Sequence, residues 1–405
     1  MEELLPSSHI HKRDELLFLE LQSLASLPFH ALIRPSKRER RLAREAFFTS
    51  GTLPKFSYER AKRFDVVPYQ EAVRAFRTHL DEAPGDPIIL ELYQAKCDEL
   101  LERATVIRAM QLGDDQTVTQ ASKNLFGPLY FSLNSLEREW KDMMKNASSF
   151  HTHSTPVTSE IFAKMVERVL TYYDMPSWDI CTHARSSVKI AHRVFYLPRI
   201  RIPKHLQISR ARAARLLTHE IEVHALRTWN GMKSPFYLLW RGLDQYLPTD
   251  EGLAVFYQQQ LSDSERRHAP GFWDAWTTLL TQTGTFQETF DTIAAARAEL
   301  ANATGDPDPE ATGNDAAWRL CLRAYRGITD FSQTGVGFLR DHIYRSGLAM
   351  IQEAVQQQGE QILQRLFIGN VGLHHTKLLE QLHLKKGRMP ELISPQIVRE
   401  VMRET

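Results

Sequence analysis

The sequence contains few cysteines, no long apolar run and no amino-terminal targeting pattern. Its three cysteines, Cys97, Cys181 and Cys321, are odd in number and widely separated, which argues against a disulfide framework and for a reducing compartment. No apolar stretch approaches the roughly 20 residues that a membrane helix needs. The amino terminus is acidic from its second residue and lacks the apolar core of a signal peptide. We therefore expect a cytoplasmic protein without a membrane partner.

An excess of charge of one sign is also missing. The 405 residues include 50 Lys and Arg against 49 Asp and Glu, so no global electrostatic field favours nucleic acid as a partner. Charged residues make up 24% of the chain and hydrophobic residues 42%, as in ordinary soluble globular proteins. The strongest basic run, residues 34–44, could dock an acidic partner, although a solvated helix face is the simpler interpretation.

What the sequence does contain is a strong helical pattern. Apolar residues recur at intervals of three and four, and in the amino-terminal part they predict helices over 14–27, 36–48, 66–80 and 86–112. The next stretch is polar and broken, which favours a surface connection. We expect a helical region over 1–113, a connecting segment over 114–158, and a further region over 159–405 whose carboxy-terminal part is helical.

Beta structure is predicted at one place. After a predicted helix over 159–175, residues 186–203 read SSVKIAHRVFYLPRIRIP and are rich in branched and aromatic side chains. This composition predicts two short strands with a turn near Leu197 and Pro198. The fold class that we expect is therefore α+β, mainly α.

The next predicted helix, over 208–229, contains the most distinctive pattern of the chain. His219 and His224 flank Glu220 but lie five positions apart, and side chains at this spacing point about 140° away from each other on a regular helix. A π-bulge, which widens one turn by a residue, would bring both histidines to one face, and such bulges often occur at functional sites. The pattern thus predicts a distorted helix, or it has no functional meaning.

The surroundings of these residues favour a metal ion. Apolar neighbours indicate that the helix is buried on most sides, and buried ionisable groups need partners. A catalytic zinc ion needs a third protein ligand, which in helix-based zinc peptidases is often a glutamate on a following helix, and Glu251 has this place in a helix predicted over 250–263. The predicted strands lie where such enzymes hold an extended peptide.

On spacing alone, two interpretations remain open. A single His-Glu-His pattern can arise by chance among 16 histidines, and an acid in a first helical turn is ordinary compensation of the helix dipole. Two other histidine pairs, His151 with His153 and His374 with His375, have no acid or cysteine nearby at ligand spacing, and we expect them on solvated surface.

Longer segments resemble a known family. HEIEVHALRTWNG at 219–231 and TDEGLAVFYQ at 249–258 are similar to the signature of the microtubule-associated tyrosine carboxypeptidases and of their bacterial relatives with a QEGLA motif. RAYRG at 323–327 and FLRDHIYRSGL at 338–348 resemble a later segment of the same family.

This resemblance implies a zincin-like catalytic region over 159–405 with one zinc ion per chain. Glu220 would be the general base of the reaction. The implied zinc ligands are His219, His224 and Glu251. Two positions depart from the family pattern, because Asp250 stands where the bacterial relatives usually have Gln, and Glu222 stands where a Gly is expected. The first change is expected to leave the ligands untouched, and the second to add an acid beside the site.

The activity that the resemblance implies is removal of a C-terminal residue, aromatic or tyrosine, from a peptide or protein. An oxyanion would need a second donor besides zinc, for which the candidates are Tyr344, His342 and Arg227. A terminal carboxylate suits the fork of an arginine, for which the candidates are Arg227, Arg326 and Arg345. The alternatives are a zinc endopeptidase or amide hydrolase, and a non-catalytic regulatory protein with a structural zinc ion.

Overall fold

The computed structural model describes residues 13–145, 156–175, 178–183, 187–193, 196–261 and 271–404. Helices dominate these residues and the strands are few and short, which confirms the α+β, mainly α class. His151 and His153 lie outside the described residues.

The chain separates into two compact units. Unit 1 combines Met1–Leu19, Thr152–Arg267 and Gly347–Thr405, and unit 2 combines Glu20–His151 and His268–Ser346. These boundaries differ from the expected division at residues 113 and 158. The reason lies in packing between distant segments, which local composition does not show. In unit 2, for example, the Phe47 ring lies 4.8 Å from that of Phe290 and 5.3 Å from that of Trp318.

All regular elements in the described residues up to 145 are helices. The helices are α1 (Glu15–Ala25), α2 (Phe29–Leu32), α3 (Lys37–Ser50), α4 (Glu59–Lys62), α5 (Val66–Glu82), α6 (Pro87–Leu112), α7 (Asp115–Phe126) and α8 (Leu133–Lys145). The four helices predicted here are confirmed as α1, α3, α5 and α6. The expected surface connection was wrong for α7. This helix is polar overall, but Val118, Ala121 and Leu125 form a buried face.

One stretch near the amino terminus, residues 15–50, is apolar enough to cross a membrane by length and composition alone. The structure divides it among α1, α2 and α3, with breaks at Pro28 and around Pro35. The longest of the three helices has 14 residues, fewer than the roughly 20 that span a bilayer.

Among the described residues, five short strands precede the site. In chain order the elements are β1 (Val157–Thr158), α9 (Ser159–Tyr172), β2 (Asp179–His183), β3 (Lys189–Arg193), β4 (Tyr196–Pro203) and β5 (Gln207–Ile208). The central strand β4 pairs in parallel with β2 and antiparallel with β3, while β1 pairs with β5.

The two predicted strands are confirmed as β3 and β4, but the predicted turn was wrong. Leu197 and Pro198 lie inside β4. The register shifts between Ala191 and Arg193 of β3, opposite this dipeptide. A proline is tolerated at such an irregularity, where no ladder hydrogen bond needs its missing N–H.

The remaining elements are helical. They are α10 (Arg210–Leu217), a π-helical segment (Thr218–Ala225), α11 (Leu226–Met232), α12 (Leu238–Arg241), α13 (Leu247–Gln260), α14 (Phe272–Leu280), α15 (Phe286–Ala303), α16 (Pro309–Ala324), α17 (Ile343–Gln358), α18 (Gln361–Leu366), α19 (Thr376–Glu380) and α20 (Ser394–Glu404). Two short 3₁₀ turns, Leu339–His342 and Leu373–His375, precede α17 and α19.

Candidate metal centre

The helix distortion that the sequence predicts is present in unit 1. Ser209 caps α10 by accepting a hydrogen bond from the backbone N–H of Arg212. The helix then widens into the π-helical segment Thr218–Ala225 before α11 continues it. The rings of His219 and His224 consequently lie 4.7 Å apart between centroids, whereas a regular helix would turn them apart. The predicted bulge is therefore confirmed.

A carboxylate from α13 reaches the same point. Oε2 of Glu251 lies 3.2 Å from Nε2 of His219 and 3.6 Å from Nε2 of His224. The three side chains are between 12% and 15% exposed. Three potential ligand atoms thus converge from two helices, all within 4.8 Å of one another. The structure brings together the three residues that the sequence singled out.

The chemistry of these groups fits a divalent metal ion. Two imidazole nitrogens and one carboxylate oxygen are a donor set that zinc accepts in catalytic sites. Oε2 of Glu251 is buried and makes no well-aligned hydrogen bond within the described part of the chain, although buried polar atoms are normally satisfied. A cation between the three atoms would satisfy it.

Electrostatics also favour a cation here. Burial opposes a charge on His224, but Asp250 and Glu251 beside it raise its pKa well above the ordinary value. Burial likewise opposes a charge on Glu251, yet His219 and His224 hold its pKa far below the ordinary value. Ionised carboxylates therefore surround His224, and this negative charge favours a cation at the centre.

Tight packing of the α13 backbone fixes the position of Glu251. A methyl group on Gly252 would lie 2.3 Å from the carbonyl carbon of Gly347 in α17, and one on Gly347 would lie 2.0 Å from the oxygen of Pro248. The two backbones can approach this closely only because both positions are glycine. The start of α13 is also held from the other side, where Thr249 Oγ1 accepts a hydrogen bond of 2.9 Å from the N–H of Leu373.

Arg227 does not occupy the place expected for a substrate-binding residue. Its side chain is fully buried, and its guanidinium donates to the carbonyl oxygens of Leu366 at 3.0 Å and of Val371 at 2.6 Å. It also donates to Oδ1 of Asp250. A guanidinium enclosed in this way has no face for a substrate carboxylate or an oxyanion.

Asp250 contacts a proposed ligand directly. Its Oδ2 lies 2.8 Å from Nδ1 of His224. The sequence did not indicate this contact, because adjacency to Glu251 does not show which way the Asp250 side chain points.

Glu220 follows His219 on the π-helical segment and is half-buried. Its role as the general base stays a prediction.

Glu222 was expected to be an additional acid beside the site. It is fully buried, and its carboxylate has a structural role instead. It accepts hydrogen bonds from Tyr173 Oη at 2.8 Å, from Thr218 Oγ1 at 2.9 Å and from the N–H of Ile393 at 3.0 Å. It also accepts hydrogen bonds from the N–H and the hydroxyl of Ser394. Glu222 thus ties α20 and the end of α9 to the π-helical segment.

The other candidate residues lie in unit 2. Arg326 donates to Asp341 at 2.9 Å, and Arg345 forms a two-fold ion pair with Glu139. Tyr344 is half-buried at the start of α17. The substrate roles of Arg326 and Arg345 and the oxyanion role of Tyr344 stay predictions.

His342 is fully buried, with Nδ1 at 2.9 Å from Ser346 Oγ. It has no exposed surface with which to reach a substrate, so the structure does not favour it as an oxyanion donor.

A second histidine cluster lies elsewhere in unit 1. The expected solvated surface was wrong for His375, which is buried. Both His374 and His375 lie beside Asp244, a distant acid that local spacing did not reveal, and all three offer ligand atoms within 4.8 Å of one another. Nδ1 of His375 accepts the N–H of Gly372 at 2.9 Å, so its Nε2 carries the proton and donates to Asp244 Oδ1 at 2.8 Å. A ring with both nitrogens engaged in this way is a structural histidine. The cluster does not offer a second metal site.

Comparison with known proteins gives a consistent result. The sequence model of the family described as "Microtubule-associated tyrosine carboxypeptidase" matches residues 45–267 and 308–402, more than half of the chain. Microtubule-associated tyrosine carboxypeptidase 1 of Homo sapiens is 33% identical over 141 residues, which are 34% of this chain and 26% of that protein. The Rattus norvegicus protein of the same name is 31% identical over 186 residues, 44% of this chain and 35% of its own length. The matched part thus spans about a quarter to a third of these relatives.

Proposed function

Because this chain belongs to the microtubule-associated tyrosine carboxypeptidase family, we propose that it is a zinc-dependent carboxypeptidase that removes a C-terminal residue, tyrosine or another aromatic residue. The observation that carries the proposal is the convergence of His219, His224 and Glu251 on one point through the π-helical segment. An undistorted helix could not place both histidines there.

Three atoms would hold the ion: Nε2 of His219, Nε2 of His224 and Oε2 of Glu251. Zinc bound there would lower the pKa of a bound water and polarise the scissile carbonyl. Glu220 would take the proton of the attacking water on its carboxylate and return it to the nitrogen of the departing residue, so that one group serves as base and then as acid. Its position next to His219 supports this role.

An extended substrate would lie along β3. This strand is at the edge of its sheet, and within the described residues it pairs only with β4. Its backbone approaches the π-helical segment to within 8 Å. The free edge of a strand offers backbone N–H and C=O groups to a peptide, which would bring the scissile bond to the metal centre.

A carboxypeptidase must also bind the terminal carboxylate. A guanidinium fork suits this carboxylate, and the family resemblance leaves Arg326 and Arg345 as the candidates for the role. The relatives are named as microtubule-associated enzymes, and we propose that this chain acts on a protein substrate in the same setting, for which the exposed Arg34 and the basic run after it offer a contact for acidic residues. Such a substrate would place the enzyme in the cytoplasm.

Mass spectrometry of peptide pools tests the proposal. Zinc-loaded protein is incubated with peptides whose C-termini are free or amidated, next to the variants Glu220→Gln and Glu353→Gln. Glu353 is an exposed acid on α17 and serves as the matched control. We expect loss of single C-terminal residues, aromatic ones first, only from free termini and only in the wild type and the control.

Other outcomes would contradict the proposal in different ways. Internal cuts in both pools would make the protein an endopeptidase. An unchanged product pattern with Glu220→Gln would remove Glu220 from catalysis. No cleavage in any pool, including pools that end in tyrosine, would favour a zinc-binding regulatory protein.

A further inference from the structure

One of the metal-facing histidines has a carboxylate at its other nitrogen. Nε2 of His224 faces Glu251, while Nδ1 lies 2.8 Å from Oδ2 of Asp250. Nδ1 and Oδ2 are within hydrogen-bond distance, although the ring orientation leaves Nδ1 without a well-aligned partner. With the proton on Nδ1 directed at this carboxylate, the lone pair on Nε2 would be left for a metal ion, and the ring would be held in that direction.

Asp250 is itself held in place. Its Oδ1 accepts a hydrogen bond from Arg227, whose remaining donors reach the carbonyl oxygens of Leu366 and Val371 at 3.0 Å and 2.6 Å. Arg227 is fully buried, so water does not compete for these bonds. The carboxylate is thus clamped from one side and presented to His224 on the other.

We propose that Asp250 is a positioning residue of the metal centre, with Arg227 as its anchor. The inference rests on the proposed zinc site, and it assigns a task to Asp250 that differs from that of the three proposed ligands. Groups that hydrogen-bond to a metal-binding histidine typically strengthen metal binding by about 10- to 100-fold. The same chain of contacts connects the metal centre to the segment between Leu366 and Val371.

The structure supplies a matched control. Asp244 and His375 form a second Asp–His pair in unit 1, also partly enclosed and also 2.8 Å apart, but with a histidine whose two nitrogens are both engaged within the protein. The variants Asp250→Asn and Asp244→Asn therefore remove the same kind of charge from the same kind of pair. Only the first touches a proposed ligand.

The affinity of the full chain for Zn²⁺ is measured by competition with a chromogenic chelator. We expect Asp250→Asn to weaken it about 10- to 100-fold and Asp244→Asn to leave it unchanged. Asp250→Glu should recover part of the loss, because it restores the carboxylate. The absorption spectrum of the Co²⁺-loaded protein should change with Asp250→Asn alone, since it reports ligand geometry rather than fold.

If Asp250→Asn does not fold, selective ¹⁵N-histidine NMR of the zinc-loaded wild type answers the same question, with the Nδ1 proton of His224 expected to be shifted downfield and to exchange slowly with water because it is bonded to Asp250. Zinc affinity and Co²⁺ spectra that are equal in Asp250→Asn and wild type, or an Nδ1 proton of His224 that is neither shifted nor protected from exchange, would overturn the inference. The variant His224→Ala shows whether a negative result concerns only the role of Asp250 or also the proposed zinc site. If His224→Ala alone loses zinc, the metal site stands and only the role of Asp250 falls. If the wild type binds no zinc, both fall.

Discussion

Gly252 in α13 and Gly347 in α17 approach so closely that neither position has room for a side chain. Gly252 directly follows Glu251, and the contact holds the first turns of α13 against α17. The position of one proposed ligand therefore depends on two residues that carry no chemistry of their own. Glycine is used here for its small volume, since neither residue has a positive φ.

Gly252→Ala or Gly347→Ala should lower the free energy of unfolding, because a methyl group would overlap backbone atoms that cannot move aside cheaply. Overpacking of this kind typically costs about 1–3 kcal/mol, and Gly252→Ala should also weaken zinc binding by displacing Glu251. Urea denaturation and chelator competition measure the two effects. Gly85→Ala is the control, since a methyl group there would meet Leu90 at an ordinary 3.7 Å. Wild-type stability in both variants would contradict the predicted close packing.

The four polar residues of the centre should divide into two classes. His219→Ala, His224→Ala and Glu251→Ala should each lose zinc, because each removes one of three protein ligands. Glu220→Gln should keep zinc and lose activity by about 10² to 10⁴, the usual contribution of a general base. Metal analysis of dialysed protein together with peptide turnover distinguishes them. Loss of zinc in Glu220→Gln would show that Glu220 is a ligand instead.

Glu222→Gln should destabilise the protein without affecting the metal. Its carboxylate accepts hydrogen bonds from Tyr173 and from the start of α20, and a buried donor left without its acceptor costs about 1–3 kcal/mol. Hydrogen exchange should accelerate in α20, while zinc affinity stays at the wild-type value. Glu353→Gln provides the exposed control. A fall in zinc affinity would show that Glu222 acts on the metal centre after all.

Stability should fall in mild acid because of His342. Burial lowers the pKa of this histidine to about 4, whereas an unfolded chain has about 6.5. Below about pH 6.5 this histidine binds a proton in the unfolded state but not in the folded state. The free energy of unfolding therefore decreases as the pH falls from about 6.5 to about 4. The full loss is on the order of 3 kcal/mol.

Denaturation of the zinc-free protein at about pH 7 and pH 4.5 checks this prediction. His342→Gln should show a smaller change between the two conditions than the wild type, whereas the exposed His205→Gln should behave like the wild type. An identical pH dependence in all three proteins would exclude His342 as the source.

Local patterns predicted a large part of this structure. The helices predicted over 86–112 and 208–229 begin within two residues of the predicted starts, because a capping residue, Asp86 or Ser209, directly precedes each of them. The distortion between His219 and His224 was also predictable, since a five-residue spacing and a shared face are incompatible on a regular helix. The turn near Pro198 was not predicted correctly, because its conformation depends on the register of the neighbouring strand β3.

The sequence by itself thus determined the helical class and the bulged helix, because each follows from periodicity or from the geometry of one helix. It singled out Glu251 on a separate helix only through the ligand set that zinc peptidases use and through the family resemblance. Only the tertiary structure decided what surrounds them. Arg227 turned inward to anchor Asp250, and Glu222 turned toward Ser394. The directions of these two side chains depend on hydrogen-bond partners in segments more than 100 residues away along the chain. Local sequence spacing does not show which distant segments will pack there.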